Sequence, residues 1–564
     1  MRRALLLCLG LIAFTWLEFE FFPGHTYLEG GSQLYLPVLE RLDTPGYLSR
    51  DLVATHPHVT YTIYDELTIF LHEAGRLNFE TAVKAQQAVC RGAGILGVFL
   101  LVLSAGLSDI PAFVIAVLLN LGAVLTGPAA ELVEHEPVPR AFAFALVILA
   151  MGLMAREKPL LGGLAGGLAV IYHPATAAPF WVLMIAAFVF DRRLRPLLRP
   201  ALIILLVFCL LLANLTQLQP GVADPQPFFG QLSPRLAQLQ QYRTKYVWVS
   251  LWAGKEIWHY LAIWVSGVWA TARIWKTLNR PMRWFLAALP AYGILSVPLS
   301  YVLLERLRWS LVSEVQPAQA LLFTVALASV ACGVAGMRAA AARRNWEACL
   351  WFLPVFALPI DVDVLNLLRL ADRVNFLQAA LCVALACGLA YLVRRFGATR
   401  WKALILLAPL TAIFVIPTIG RVEHQRKIDA TPIRELADWA EQSTWGSSMF
   451  LFPDAGRELY PGMFRAESRR ALWVDWESGD LVDYFESAGA EWWNRWRQTM
   501  DGPYSPDRLP NALSFPIDYC VLKRRNQLAG IKPVFANSDF VVYDARHLRE
   551  ASVPLRNASL TPKS

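Results

Sequence analysis

Charge is scarce in this sequence. Only 17% of its 564 residues are charged, and 56% are hydrophobic. An ordinary soluble domain carries about 25% charged residues. The shortfall excludes a soluble enzyme, a disordered scaffold and a fibrous protein. Cysteine chemistry is also missing. None of the eight cysteines forms a CxxC pair or a metal-binding spacing. Cys8, Cys209, Cys332, Cys349, Cys382 and Cys387 sit inside apolar runs, where cysteine acts as a small hydrophobe. Only Cys90 and Cys520 are placed near water. There is no internal repeat and no low-complexity tract. The net charge of +8 does not indicate nucleic acid, because Lys and Arg fall in short clusters between apolar runs. That is the pattern of the cytoplasmic loops of a membrane protein.

What is present is a series of apolar stretches long enough, or nearly so, to span a bilayer. They predict helices at 4–20, 91–107, 110–127, 140–155, 160–173, 175–190, 200–214, 257–272, 284–303, 317–336, 346–361, 375–392 and 402–418. The expected class is therefore an α-helical polytopic membrane protein with about thirteen spans. Arg2 and Arg3 followed by Ala4 to Trp16 lack a small-x-small cleavage site, so the first run reads as an uncleaved helix. With the N-terminus in the cytoplasm, strict alternation puts every basic cluster on one side. These are Arg156 and Lys158; Arg192 to Arg199; Arg273 to Arg283; Arg338 to Arg344; and Arg394 to Lys402. The odd number of spans leaves the tail outside the cytoplasm. A bacterial inner membrane is the expected location, with the protein part of the cell envelope.

The opposite side carries a long first loop, 21–90, in which Gln33–Leu42 and Tyr64–Leu77 read as helices lying in the interface. Residues 1–420 form the expected membrane domain. Residues 421–564 are richer in charge and form the expected extracytoplasmic α/β domain. Helices are expected at Thr431–Gln442 and Leu481–Met500, with strands at Met449–Phe452, Ala471–Trp476, Tyr519–Leu522 and Phe540–Tyr543. Its tryptophans suit a small core, or stacking on sugar rings.

Polar residues that bear on chemistry gather on that side. Glu18 and Glu20 end the first helix, about 200° apart, so at most one faces a cleft. Asp51 follows a Thr44-Pro45-Gly46 turn and reads either as a general base or as an N-cap. Glu131, Glu134, His135 and Glu136 are the densest acidic group, and Glu131 and His135 stand four residues apart as on a helix end. Carboxylates with imidazole can hold a divalent cation, though no second ligand set supports a metal site. Arg140 is placed to reach an anionic headgroup. His173 breaks an apolar stretch before Pro174. Arg306, Arg308, Arg369 and Arg373 are the basic residues outside the cytoplasmic clusters; each reads as a phosphate contact or as a lipid-headgroup partner.

The layout, with a first span ending in acids, a long outer first loop and an outer tail domain, resembles the GT-C superfamily of membrane glycosyltransferases. The pieces that carry the resemblance are Asp43-Thr-Pro-Gly-Tyr-Leu-Ser-Arg-Asp51, Glu134-His-Glu-Pro-Val-Pro-Arg140, His173-Pro174, Glu314-Val-Gln-Pro317, Phe464-Arg465, Ala471-Leu-Trp-Val-Asp-Trp476 and Glu491-Trp-Trp-Asn-Arg495. The resemblance implies transfer of a sugar from a polyprenyl-phosphate-type donor to a glycan, lipid or protein acceptor, with inversion. It implies an acid in the first outer loop as base or metal ligand: Asp51, with Glu18 and Glu20 as rivals. It implies that Arg140, with Arg306 or Arg373, holds the phosphate. Glu134, His135, Glu136 and His173 complete the substrate-binding set, and dependence on Mg or Mn is left open. No Asp-Glu pair follows the first span, which departs from the protein O-mannosyltransferases. Gln319 stands where a basic residue would suit a phosphate near Gln316-Pro317. Two other readings remain: an inactive relative that acts as an assembly or binding partner, and a transporter of a lipid-linked substrate.

Overall fold

A computed structural model describes residues 2–57, 62–218, 229–396, 404–420, 422 and 428–550. Backbone in hydrocarbon must satisfy its own N–H and C=O groups, so the apolar runs fold as helices. The helices of the first 420 residues are α1 (Arg2–Glu20), α2 (Ser32–Asp43), α3 (Tyr64–Glu73), α4 (Phe79–Ser104), α5 (Asp109–Leu119), α6 (Pro139–Ala155), α7 (Pro159–Tyr172), α8 (Pro174–Phe190) and α9 (Arg195–Leu218). They continue with α10 (Pro234–Arg243), α11 (Gly254–Ile274), α12 (Arg280–Ser300), α13 (Leu311–Val315), α14 (Leu321–Ala341), α15 (Asn345–Ile360), α16 (Arg373–Phe396) and α17 (Leu407–Ile419). Every expected helix has a counterpart. Among the described residues, five segments are long and apolar enough to cross a membrane, and six further apolar helices are shorter. The chain is a multi-pass membrane protein.

Contacts between loops sort the two ends of the bundle. Arg338 donates to the Ala105 carbonyl, Asn279 Nδ2 to the Ala155 carbonyl at 2.7 Å, and Arg280 to Asp191. Arg273 Nε lies 2.8 Å from Glu347 Oε1. The basic segments at 156–158, 192–199, 273–283 and 338–344 therefore share one end. Arg400 and Lys402 lie outside the described residues.

The other end carries the first loop, and three features there differ from expectation. The helix expected at 110–127 stops at Leu119. A hairpin of β1 (Val124–Leu125) and β2 (Ala130–Glu131) follows, so Glu131 and His135 are not on a helix. α2 does not lie apolar face down in the interface. Its residues Ser32, Gln33, Leu34, Leu36 and Pro37 to Glu40 are buried, and it packs under the tail. α6 meets α4 through Gly97 and Gly152, where a Cβ on either would strike the other's backbone. Small residues allow such close approach between apolar helices, and this contact sets the start of α6 beside α4.

The tail adds α18 (Thr431–Ser443), α19 (Tyr460–Ser468), α20 (Glu486–Thr499) and α21 (Leu509–Ala512). Its strands are β3 (Met449–Leu451), β4 (Ala471–Leu472), β5 (Tyr519–Lys523), β6 (Phe535–Ala536) and β7 (Phe540–Asp544), in the order β4-β3-β5-β7-β6. β4, β3 and β5 run parallel, and β7 pairs antiparallel with β5. β6 and α19 were not foreseen. Trp492 and Trp496 fill the core, whereas Trp445 is 84% exposed. One buried apolar cluster runs from Phe14 to Leu548, so the tail packs continuously against the bundle.

The joint between first loop and tail is a buried polar knot. Arg465 on α19 donates to Asp475 Oδ1 at 3.0 Å, to Ser478 Oγ at 3.0 Å and to the Gln33 carbonyl at 3.0 Å. Gly462 lies so close to the Gln33 amide that a Cβ there would have to displace it.

Candidate functional site

Residues 131–138 connect the hairpin to α6, and every neighbour holds them. From α4, Gln87 Nε2 donates to the carbonyls of Glu134 and His135, at 3.2 and 2.9 Å. One turn on, Arg91 Nη2 donates to the carbonyls of Glu134 (2.8 Å) and Gly24 (2.9 Å). Thr26 N donates to the His135 carbonyl at 3.0 Å, and the Tyr64 hydroxyl to the Pro137 carbonyl at 2.9 Å. Glu136 caps α2, accepting from Ser32 N (2.9 Å), Ser32 Oγ (3.0 Å) and Glu29 N (2.6 Å). Burial pushes the Glu136 carboxyl up, and these donors oppose it. Its role is to anchor the loop.

The loop so fixed presents three side chains. His135 Nδ1 lies 2.6 Å from Glu131 Oε2. Burial pulls the imidazole pKa down, but the hydrogen bond and charge of Glu131 outweigh it, and the net shift is upward. Glu134 meets Arg140 as a fork, with Nη2 to Oε1 at 2.6 Å and Nε to Oε2 at 3.2 Å. Glu131, Glu134 and His135 each offer one ligand atom, all within 4.8 Å of one another. Two carboxylates and an imidazole suit a divalent cation.

Two cavities meet here. A wider one of about 360 Å³ has Glu29, Glu131, Glu134, His135, Glu136 and Arg140 on its wall, beside apolar residues such as Val124, Leu125 and Val138. A narrower one of about 60 Å³ runs between α4, α5, α6 and α14. Its wall is mainly apolar (Val98, Phe144, Ile148, Leu322), with Glu18, Arg91, Glu131, Glu134 and Arg140 at its polar part. Glu134 and Arg140 line both. Glu18 is fully buried, 3.6 Å from Arg91 Nε, and its carboxylate oxygens accept no hydrogen bond among the described residues.

Tyr35 of the first loop and Asp480 of the tail lie near enough to feel the Arg140 charge. The Tyr35 hydroxyl is pushed up to about 12, first by burial, against the nearby charge of Arg140. Burial also raises the Asp480 carboxyl, which the charges of Arg243 and Arg140 oppose. His173 caps α8, its Nδ1 accepting from Thr176 N at 3.2 Å. Burial, then the Arg140 charge, pushes its imidazole down to about 4. It is therefore neutral, and it lines neither cavity.

The remaining sequence candidates lie elsewhere. Asp51 is fully buried in the first-loop/tail joint. Oδ1 accepts from Val53 N (2.9 Å) and Ala54 N (3.1 Å), Oδ2 from Leu472 N (3.0 Å), and Arg465 lies 3.8 Å away. These bonds make Asp51 the cap of the turn at 52–55; no helix starts there among the described residues. Glu20 is exposed while Glu18 is buried, as their angular separation requires. Arg306 is exposed over the Tyr301 ring, and Arg373 is exposed at the start of α16; neither lines these cavities. Sequence reasoning missed Gln87, Arg91, Tyr35 and Asp480. Gln87 and Arg91 carried a signal, being two polar residues at i, i+4 where α4 turns apolar. Tyr35 and Asp480 carried none, since only the fold brings them near Arg140.

No family model and no curated protein matches the sequence. Among solved structures, the chain is similar to ArnT from Cupriavidus metallidurans in the apo state, with 14% identity, 96% of this chain and 97% of that chain covered, and a TM-score of 0.41. For the same protein bound to undecaprenyl phosphate the identity is 14%, the coverage 96% and 97%, and the TM-score 0.39. It is also similar to the oligosaccharyltransferase of Archaeoglobus fulgidus tethered to an acceptor peptide, with 10% identity, 91% of this chain and 68% of that chain, and a TM-score of 0.42. These values describe a distant likeness, and no function is transferred across it.

Proposed function

We propose that the protein is a membrane glycosyltransferase of the GT-C type. It takes a sugar from a polyprenyl-phosphate-type carrier and passes it to an extracytoplasmic acceptor by inverting displacement. In this reading residues 1–420 form the membrane domain, 421–564 an outer domain, and the basic end of the bundle faces the cytoplasm.

The observation that carries the proposal is the position of Arg140. Arg140 lines both a narrow, mainly apolar crevice between helices and a wider cavity with several charged side chains on its wall. A lipid phosphate has the same two-part character, an apolar chain ending in an anion. Guanidinium offers five N–H donors in a planar fork that matches phosphate geometry. Glu134 engages two of them, and the remaining donors are left for a ligand oxygen. As the carrier's bond to the anomeric carbon breaks, the phosphate gains charge. A cation held in place beside it stabilises that charge. Glu131, Glu134 and His135 would hold a divalent cation, which when bound supplies further positive charge to the phosphate.

The test is sugar release from a panel of radiolabelled polyprenyl-phosphate sugars by protein in nanodiscs. Arg140→Ala is expected to lower release by about 100- to 1000-fold. Arg140→Lys restores little, because an ammonium lacks the fork. Release by Arg140→Ala within threefold of wild type would remove the basis of the proposal.

A further inference from the structure

Arg306 and Arg308 lie away from the Arg140 site, at the far end of one long helix. α12 runs on through a π turn, Tyr301–Arg306, so 27 residues from Arg280 to Arg306 form one candidate span. At ~1.5 Å per residue they cover about 40 Å, the thickness of a bilayer with its headgroups. Arg280 stands at the basic end of the bundle, paired with Asp191. Arg306 therefore reaches the headgroup layer of the opposite leaflet. Leu295, Leu299 and Val302 are exposed and form an apolar stripe along the helix that leads up to it.

Just beyond Arg306 the chain is pinned. Arg308 has φ of 53°, a left-handed conformation uncommon outside glycine. Its carbonyl accepts from Leu232 N at 2.7 Å. The Gly230 carbonyl accepts from Ser310 N and from Ser310 Oγ, each at 3.0 Å. This short bridge stacks Phe229 on Trp309, with ring centres 6.0 Å apart and planes 9° apart. Phe229 and Leu307 are exposed at 81% and 56%. The Arg306 guanidinium lies over the Tyr301 ring at 5.2 Å. Arg306 and Arg308 are both exposed, and neither side chain makes an ion pair or hydrogen bond with a described residue. Glu305 is the one acid between 301 and 310, and its Oε1 accepts from Ser250 N at 2.9 Å.

Aromatic rings favour the membrane–water boundary, and guanidinium matches phosphate. An apolar stripe, an exposed aromatic pair and two uncompensated arginines complement an amphiphile with an anionic head. Its chains would lie along Leu295, Leu299 and Val302, and its phosphate at the arginines. The stripe is open to the bilayer, and neither arginine lines the cavities at Arg140. The occupant is therefore a lipid that stays in the leaflet.

We propose that this patch docks an anionic phospholipid in the leaflet opposite the basic end of the bundle. Such docking is independent of sugar transfer. Its consequence is mechanical. The bridged segment leads into α10, which holds the tail: Gln240 Nε2 donates to the Val482 carbonyl at 2.9 Å, and Thr244 Oγ1 to Asp483 Oδ1 at 2.9 Å. A lipid that fixes the bridge also fixes the tail against the membrane surface.

The test is hydrogen–deuterium exchange at 229–232 and 308–310, in nanodiscs of neutral phosphatidylcholine or of anionic phosphatidylglycerol. A readout confined to these peptides is blind to lipid held by the arginines of the basic end. Each arginine at an anionic surface contributes roughly fivefold, so exchange of the Leu232 and Ser310 amides should slow about tenfold or more in phosphatidylglycerol. Arg306→Gln with Arg308→Gln should exchange alike in the two lipids. Arg306→Lys with Arg308→Lys keeps the charge and should keep the protection, which separates loss of charge from loss of fold. Equal exchange of wild type in both lipids would overturn the proposal. So would protection that persists in the double glutamine variant, or protection that inorganic phosphate reproduces on phosphatidylcholine nanodiscs. Protection by a few per cent of polyprenyl monophosphate, with none from phosphatidylglycerol, would also overturn it and give the patch to a carrier lipid.

Discussion

Arg465 and Arg140 each meet carboxylates close to the first loop, but their surroundings differ in kind. At Arg465 the side chains of arginine and Asp51 are 1% exposed, and a serine, a backbone carbonyl and Asp475 supply the acceptors. Neither of the cavities at Arg140 reaches Arg465, Asp51 or Asp475. At Arg140 the arginine side chain is 33% exposed against 7% for Glu134, and two cavities meet at the pair. Burial with most of the guanidinium and carboxylate atoms engaged fixes a joint. A satisfied pair at a cavity wall leaves donors for something else. The same two residue types therefore read as structure in one place and as a site in the other, and only surroundings distinguish them.

Breaking the knot gives the largest expected effect on stability. Arg465→Met leaves Asp51 and Asp475 buried without their cation. Removing one partner from a buried ion pair costs about 3–5 kcal/mol. Thermal unfolding in detergent should show the loss, together with proteolytic release of the tail. Arg140→Met, beside an open cavity, should cost clearly less. Equal losses at the two arginines would erase the distinction between joint and site.

Much of this fold is legible in the sequence because hydrocarbon leaves the backbone few choices. Uninterrupted apolar runs become helices, and all the expected ones have counterparts. The errors occur where tertiary contacts decide. The run through Leu119 to Gly127 is apolar enough for helix, but it turns at Asn120 to Gly122 and pairs as a hairpin. α2 has the alternation of an interfacial helix, yet the tail covers its second face. For the site, the cluster of Glu131, Glu134, His135 and Arg140 shows in sequence because its members lie within ten residues. Asp51 is ambiguous there, since a base and a cap use the same carboxylate. Leu472, whose amide occupies Asp51 Oδ2, is remote in the chain and gives no warning.

Asp51→Asn sharpens the contrast at smaller cost. The amide keeps one oxygen for Val53 and Ala54, but places an NH2 against the Leu472 N–H. A buried group left without its partner costs about 1–3 kcal/mol. Unfolding should shift by that amount. Sugar release per folded molecule should stay within a few-fold of wild type. Abolished release in fully folded Asp51→Asn would move the chemistry to the joint and reverse the comparison.

The smallest effect tests whether the open cluster responds to pH as its geometry requires. Glu131 holds the His135 imidazole above its ordinary value near 6.5. Such a group binds its proton more tightly folded than unfolded. Its contribution to stability is therefore fully present below about pH 6.5 and is lost as pH rises through the folded value. One ion pair of this kind contributes less than about 1 kcal/mol. In chelator-treated protein, His135→Gln should lower stability at pH 5.5 and leave it nearly unchanged at pH 9. The same scan on Asp51→Asn should show its loss at both pH values, because the bonds it disturbs run to backbone amides, which do not titrate in that range. A His135→Gln penalty that grows with pH would mean that Glu131 does not hold the imidazolium, and that the cluster's electrostatics run opposite to its geometry.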